Sequence, residues 1–234
     1  MAAEAAAPPA AAPAQCATGA QVIVHHADPH LLVVEKPAGL LSVPGRGEDK
    51  QDCLSARLQA AYPDALVVHR LDMATSGLVV FARSPAVQRM LGDAFAARAV
   101  HKEYEAVVDG LPDSTAPDAD GWHTIDLPLG ADWPRRPMQK VDADAGKPST
   151  TRWQLLAHDP QAGTARLRLC PVTGRTHQLR VHLQAIGHPI LGDALYAPVA
   201  VQAAAPRLLL HATRLALVHP VTGGALQFCS TVPF

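Results

Sequence analysis

A polar insert separates two apolar, β-branched runs at residues 67–82, VVHRLDMATSGLVVFA. Strands usually turn on Gly, Asn or Pro. This break instead carries His69, Arg70 and Asp72, an imidazole, a guanidinium and a carboxylate. Such a set can attack carbon, move a proton or hold an anion. The same aspartate can instead cap a turn through its own backbone, and on these residues alone the two readings of Asp72 stand level. A serine hydrolase using Ser76, His69 and Asp72 is disfavoured: there is no GxSxG elbow, and Gly77 leads into a strand. His177, His182 and His188 are spaced by five and six, off any single helical face and without an evident carboxylate ligand. That argues against a metal site. PGRG at 44–47 reads as an ordinary turn before it reads as a phosphate cradle.

The elements that hold these groups follow from periodicity and punctuation. QVIVHH (21–26) and LLVVEK (31–36) predict strands split by a turn at Asp28-Pro29, followed by the Gly/Pro-rich loop PAGLLSVPGRG. Residues 50–61 predict a helix with Leu54, Leu58 and Ala61 on one face, and strands at 66–69 and 77–83 flank the polar insert. Ser84-Pro85 opens a second helix, with an apolar stripe through Val87, Met90, Leu91, Ala94 and Phe95. HKEYEAVVDG is a predicted strand, 111–121 a loop, and 122–127 a further strand. Residues 128–148, basic in the middle and poorly periodic, predict one long loop of the kind that is often functional. TRWQLLAH and TARLRLCPV predict antiparallel strands. TGRTHQLRVHLQAIGHP predicts a turn, then a helix with Leu179, Leu183 and Ile186 inward, then a stop at Gly187. LLLHATRLALVHP and ALQFCSTV predict the last strands. Strands dominate and nothing alternates βαβα, which gives an α+β fold with a mainly antiparallel mixed sheet and a few flanking helices.

The 234 residues allow one domain or two small ones, and neither an internal repeat nor a second boundary is visible. Residues 1–20 are biased to Ala and Pro and predict a disordered tail, leaving 21–234 as one catalytic domain. The start lacks the basic and Leu-rich regions of a secretory signal. No apolar run approaches the roughly 18 residues of a membrane helix. Cys16, Cys53, Cys170 and Cys229 form no CxxC pair and read as free thiols of a reducing cytoplasm. Net charge is −1, so any nucleic-acid surface must come from local charge. Arg135, Arg136 and Lys140 form one basic group, and Arg166, Arg168, Arg175 and Arg180 form another.

From about residue 21 to the end, the chain resembles the RluA-type pseudouridine synthases. HRLDMATSG (69–77) is similar to their catalytic signature. The likeness continues through LLVVEKPAGLLSVPGRG, HKEYEAVV, DWPRRPMQKV, GKPSTT, TGRTHQLRVHLQAIGHPILGD and RLLLHA, a collinear set over more than 200 residues. Many family members carry an N-terminal S4 RNA-binding domain. Here only the Ala/Pro stretch precedes the first strand. That resembles the branch which modifies a hairpin loop of large-subunit ribosomal RNA and the anticodon stem-loop of certain tRNAs.

The resemblance implies roles. Asp72 matches the catalytic aspartate, Tyr104 the active-site tyrosine that covers the base or moves a proton, and Arg180 the basic residue paired with the aspartate. Arg70 matches an arginine that fills the gap left by the extruded nucleotide. His69, Arg135, Arg136, Lys140, Arg175 and His177 are expected to contact RNA in a central cleft. No cofactor or metal is required, because the reaction moves a base from N1 to C5 without gain of atoms or electrons. A cytoplasmic monomer is expected. The rival readings are a different rRNA-only or tRNA-only target, and a non-catalytic RNA-binding protein on the same fold.

Overall fold

A computed structural model describes residues 22–112 and 117–234; the stretch 1–20, expected as a disordered tail, lies outside them. β1 (Ile23–Ala27) and β2 (Leu31–Lys36) form a hairpin whose turn is closed by the Asp28 carboxylate, which accepts from the amides of His30 and Leu31. α1 (Leu54–Ala61), β3 (Leu66–Val67), β4 (Ser76–Ala82) and α2 (Pro85–Ala96) follow. β5 (His101–Asp109) and β6 (His123–Asp126) lead to a separate small hairpin, β7 (Leu129–Ala131) and β8 (Gln139–Val141). Then come β9 (Thr150–Asp159), β10 (Thr164–Pro171), α3 (Gln178–Ala185), α4 (Val199–Ala203), β11 (Leu210–Val218) and β12 (Ala225–Cys229).

The large sheet runs β1-β2-β4-β11-β5-β10-β9-β6, with β12 on β11 and β3 on β4. It is mixed and mainly antiparallel, as expected for α+β; β11 lies parallel to β4. All seven residues of β4 are buried, because both faces of the sheet are covered there. Val79 and Phe81 face α1 through Leu54 and Leu58, whereas Leu78, Val80 and Ala82 share a core with Val87 and Leu91 of α2. This is the period of two expected of a strand, with both phases apolar. A third core joins Leu167 and Leu169 of β10 to Leu179 and Leu183 of α3. Gly77, at φ 115°, begins the parallel contact; a Cβ there would overlap the backbone of Ala212. Glycine at that point is therefore dictated by close approach as well as by φ.

Three expectations shift. The first helix starts at Leu54 rather than 50, with Cys53 as its N-cap accepting from Ala56 N–H. Residues 128–148 are not one loop: three-residue strands β7 and β8 pair there, with a 3₁₀ turn over Trp133–Arg135 between them. Strands that short leave no measurable alternation. The helix α4 was not foreseen, and none of its residues is buried, so it has no apolar stripe to betray it.

Candidate active site

The loop from β3 to β4 carries Asp72 to the start of β4, a strand in the interior of the sheet, and buried polar groups fix its shape. Ser42 Oγ donates to Leu71 O at 2.6 Å and accepts Leu71 N–H at 3.1 Å. Lys36, at the end of β2, is fully buried. Its ammonium donates to the carbonyls of Pro37, Leu40 and Met73 at 2.9, 2.8 and 3.0 Å, so all its protons are used. One of those carbonyls directly follows Asp72. Burial pushes the Lys36 ammonium down to about 7, the charge of Asp72 draws it back up, and Arg207 opposes that. Sequence reading missed Lys36; its signal was a lysine closing a strand that opens on four apolar residues, LLVV.

Asp72 takes no hydrogen bond from its own turn: among the described residues its carboxylate is faced by Arg180 Nη1 at 3.6 Å and His177 Nε2 at 3.9 Å. The turn-cap reading therefore fails. Arg180 and His177 come from the start of α3, a helix that buries six consecutive residues, Gln178 to Leu183. The Arg180 side chain is only 4% exposed, so it is not a solvated helix charge. Its bidentate partner is Asp193, reached by Nε at 2.8 Å and Nη2 at 2.6 Å. Burial works against the charged guanidinium, but Asp193 and Asp72 outweigh it and hold Arg180 above its ordinary range. Asp193 and Tyr196 were also missed. Tyr196 lies under the Arg180 guanidinium, 5.0 Å from it, and its hydroxyl contacts His177 Nδ1 at 2.6 Å.

Tyr104 stands on β5, packed between two of the cores, and lines the same cavity as Asp72. Burial first and the charge of Asp72 second push its phenol well above the ordinary range. A phenol held neutral so firmly suits covering a base better than losing a proton. The cavity measures about 700 Å³ and also reaches Arg70, Arg98, Lys102 and Arg175, a size ordinary for a small-molecule site. Asp72 is the carboxylate in its wall, against five cationic side chains. Lys102 has no carboxylate or hydrogen-bond partner among the described residues; its Nζ sits 5.7 Å over the Phe95 ring. Burial lowers its ammonium, with Cys170 opposing. Lys102 too was missed.

The expected RNA contacts divide. Arg70 and Arg175 are exposed at the cavity without a carboxylate partner among the described residues. His69 lines the cavity, but its Nε2 accepts Val80 N–H at 3.1 Å and its ring stacks on Phe95. Burial drives its imidazole down to about 3, helped by Lys102, so the ring is neutral and braces β4 at Val80. On the β7–β8 hairpin, Arg135 is paired with Asp132, and Lys140 lies 3.6 Å from Asp142. Arg136 has no carboxylate partner among the described residues; its guanidinium lies 3.6 Å over the ring of Trp133, which is 67% exposed. The second basic group also divides, because Arg166 and Arg168 face Glu105 and Glu103 across β5 and β10.

The rival chemistries find no geometry. Ser76 Oγ bonds His211 Nδ1 and Arg207, not His69. His182 is held by Thr151 and Leu127, and His188 by Asp109, so neither shares a centre with His177. In the PGRG turn, Gly45 N–H is spent on Lys50 O.

Residues 30–185 match the family described as RNA pseudouridylate synthase. The chain belongs to that family. It is 48% identical to the Dual-specificity RNA pseudouridine synthase RluA of Escherichia coli O6:H1 over 91% of this chain and 94% of that one. It is 49% identical to the protein of the same name from Vibrio vulnificus over 82% of this chain and 76% of the other. The structure resembles human RNA Pseudouridylate Synthase Domain Containing 1 with a TM-score of 0.73 and 28% identity, covering 93% of this chain and 87% of the human one. As a pseudouridine synthase the chain is an isomerase that converts uridine to pseudouridine in RNA. No helix of the described residues is long and apolar enough to cross a membrane.

Proposed function

We propose that this isomerase is dual-specific, taking a uridine from a hairpin loop of large-subunit ribosomal RNA and another from the tRNA anticodon stem-loop. It acts as a cytoplasmic monomer through the unit 21–234, without cofactor or metal. The observation that carries the site assignment is Asp72: a carboxylate free of its own backbone, lining a cationic cavity and faced by Arg180 and His177. The specificity follows that of the dual-specificity relative 48% identical over 91% of the chain.

The reaction breaks N1–C1′, turns the base and rejoins it through C5. The nucleotide has to leave the stack, at a cost of a few kcal/mol that is smallest in hairpin loops. Arg70, exposed at the mouth, takes the vacated place in the RNA. In the cavity Asp72 acts as nucleophile at C1′ or C6. Arg180 orients it, and Tyr104 covers the uracil ring. The packed walls keep water from the ribosyl intermediate.

Asp72→Asn, assayed by tritium release from RNA labelled at uridine C5, tests the site; the expected result is loss of turnover, and retained turnover overturns it. Two transcripts, a large-subunit hairpin and an anticodon stem-loop, test the specificity. Pseudouridine in both supports dual action, and modification of only one reduces the reading to that RNA. Binding without modification of either leaves a non-catalytic RNA-binding protein.

A further inference from the structure

His177 enters α3 as its N-cap at φ 54° and ψ 17°, the left-handed region in which a residue with a Cβ is uncommon. Strain of that kind persists where the surroundings over-determine it, and it clusters at functional sites. Here it turns the imidazole into the space between Asp72 and Tyr196. Nε2 lies 3.9 Å from Asp72 Oδ1, and Nδ1 lies 2.6 Å from the Tyr196 hydroxyl. The same hydroxyl accepts Gln139 N–H, from β8, at 2.8 Å.

A phenol has one proton to give. The amide of Gln139 is a donor only, so the acceptor in reach of that proton is His177 Nδ1. The neutral ring then carries its own proton on Nε2, the nitrogen that faces Asp72. Burial favours the neutral ring, with Asp72 opposing and Arg180 adding to the effect. The phenol itself has little freedom. Its backbone N–H is held by Asp193 at 3.1 Å, and its ring lies beneath the Arg180 guanidinium. Arg180 approaches Asp72 Oδ2, and His177 approaches Oδ1. Each carboxylate oxygen is thus faced by a different side chain, at 3.6 and 3.9 Å.

We propose that Tyr196 fixes His177 as the Nε2–H tautomer and so makes it the second donor that orients Asp72, with Tyr196 and His177 as positioning residues for the nucleophile. This rests on the assignment of Asp72 given above. A gap of 3.9 Å is too long for a hydrogen bond, and a small turn of either side chain closes it. With both oxygens held, the attacking lone pair keeps one direction. The hydroxyl's other partner belongs to the β7–β8 hairpin, so that hairpin is hydrogen-bonded through Tyr196 to the imidazole that faces the nucleophile.

The test uses the full chain with ¹⁵N-labelled histidine and a stem-loop RNA tritiated at C5. In the wild type the His177 signals, identified by their loss in His177→Gln, should show the Nε2–H tautomer in long-range ¹H–¹⁵N spectra. Tyr196→Phe keeps the ring and removes the hydroxyl. It should mix the tautomers and lower kcat roughly 10- to 100-fold, with KM within about threefold. His177→Gln puts an amide N–H near the Nε2 position and should keep most of the rate. His177→Asn reaches only the Nδ1 position and should fall as far as Tyr196→Phe. An Nδ1–H tautomer in the wild type, equal losses in the Gln and Asn variants, or a loss carried by KM alone overturns the proposal. Should Tyr196→Phe fail to fold, the two His177 variants decide it. Asp72→Asn keeps the two assignments apart. Turnover retained there overturns the nucleophile itself, whereas an inactive Asp72→Asn beside an unaffected Tyr196→Phe overturns only the positioning role.

Discussion

Arg180 makes its bidentate pair with Asp193, at 2.6 and 2.8 Å, and stands 3.6 Å from Asp72. The basic residue of the site is thus anchored by one carboxylate and offered to another. Anchored to Asp193, it lends Asp72 positive charge at one oxygen and leaves the other facing His177.

Asp193→Ala should therefore damage both stability and rate. It strands a buried guanidinium, which costs about 3–5 kcal/mol when a buried pair loses one partner. The Asp193 carboxylate also accepts the amides of Leu195 and Tyr196. Thermal unfolding gives the first effect and single-turnover tritium release the second. An Asp193→Ala variant with wild-type melting temperature and wild-type rate would remove Asp193 from this role.

Lys36→Met should open the catalytic loop from below. Three carbonyls lose the Lys36 donor at once, with Met73 O keeping only Gly39 N–H, and a buried group left unsatisfied costs about 1–3 kcal/mol. The Met73 carbonyl is among them, so the expected loss of kcat exceeds any change in RNA affinity. Lys36→Arg should not restore activity, because a planar guanidinium cannot reach three carbonyls in a space shaped for an ammonium. Denaturant unfolding and RNA titration together check this, and unchanged stability in Lys36→Met would count against it.

Much of the site was legible in the chain and some was not, for physical reasons. The polar insert made Asp72 legible as a candidate, level with a turn cap, and the family resemblance rather than residue type singled out Asp72 and Tyr104. Arg180 was legible through the resemblance but not as buried, because its helix shows apolar positions on one face while Thr151, Leu127 and Asp193, distant in sequence, hold its polar residues. Asp193 and Tyr196 act through contacts that follow a reversal of the chain at Gly192, and no periodicity reports such a reversal. The basic groups were misread as uniform patches. Pairing with Glu103 and Glu105 is a matter of register between β5 and β10, and pairing with Asp132 and Asp142 depends on the local turn geometry of the hairpin, neither of which charge counting reports.

Acid should destabilise the fold through His211. It is fully buried, with Nδ1 on Ser76 Oγ and Nε2 on Ser230 Oγ. Burial lowers its imidazole to about 4, Glu35 opposing, from an ordinary 6.5. Between these values the unfolded chain holds a proton that the folded chain does not, so stability rises with pH there and falls as pH drops from 6.5 toward 4. The slope from this one group is at most about 1.4 kcal/mol per pH unit. Urea unfolding at intervals from pH 7 to 4 should show it, and His211→Gln should flatten the profile in that window. An identical slope in the variant would assign the acid sensitivity elsewhere.

The last prediction concerns the hairpin. Trp133 is exposed, with Arg136 stacked above it and no packing role to protect. An exposed indole beside an unpaired guanidinium suits stacking on a splayed base, worth about 1–3 kcal/mol per base. Trp133→Ala should leave unfolding within about 0.5 kcal/mol of wild type and weaken RNA binding about five- to 100-fold. Its dependence on salt should be unchanged, because no charge is lost. Arg136→Ala should differ: besides losing affinity, it should lower the log–log salt slope by about 0.7 to 0.9, the share of one phosphate contact. Arg135→Ala and Lys140→Ala should change that slope less, since each already faces a carboxylate of its own hairpin. Equal slopes for all three basic variants would mean that the hairpin's internal pairs open on RNA. An unaltered affinity in Trp133→Ala would take the indole out of the interface.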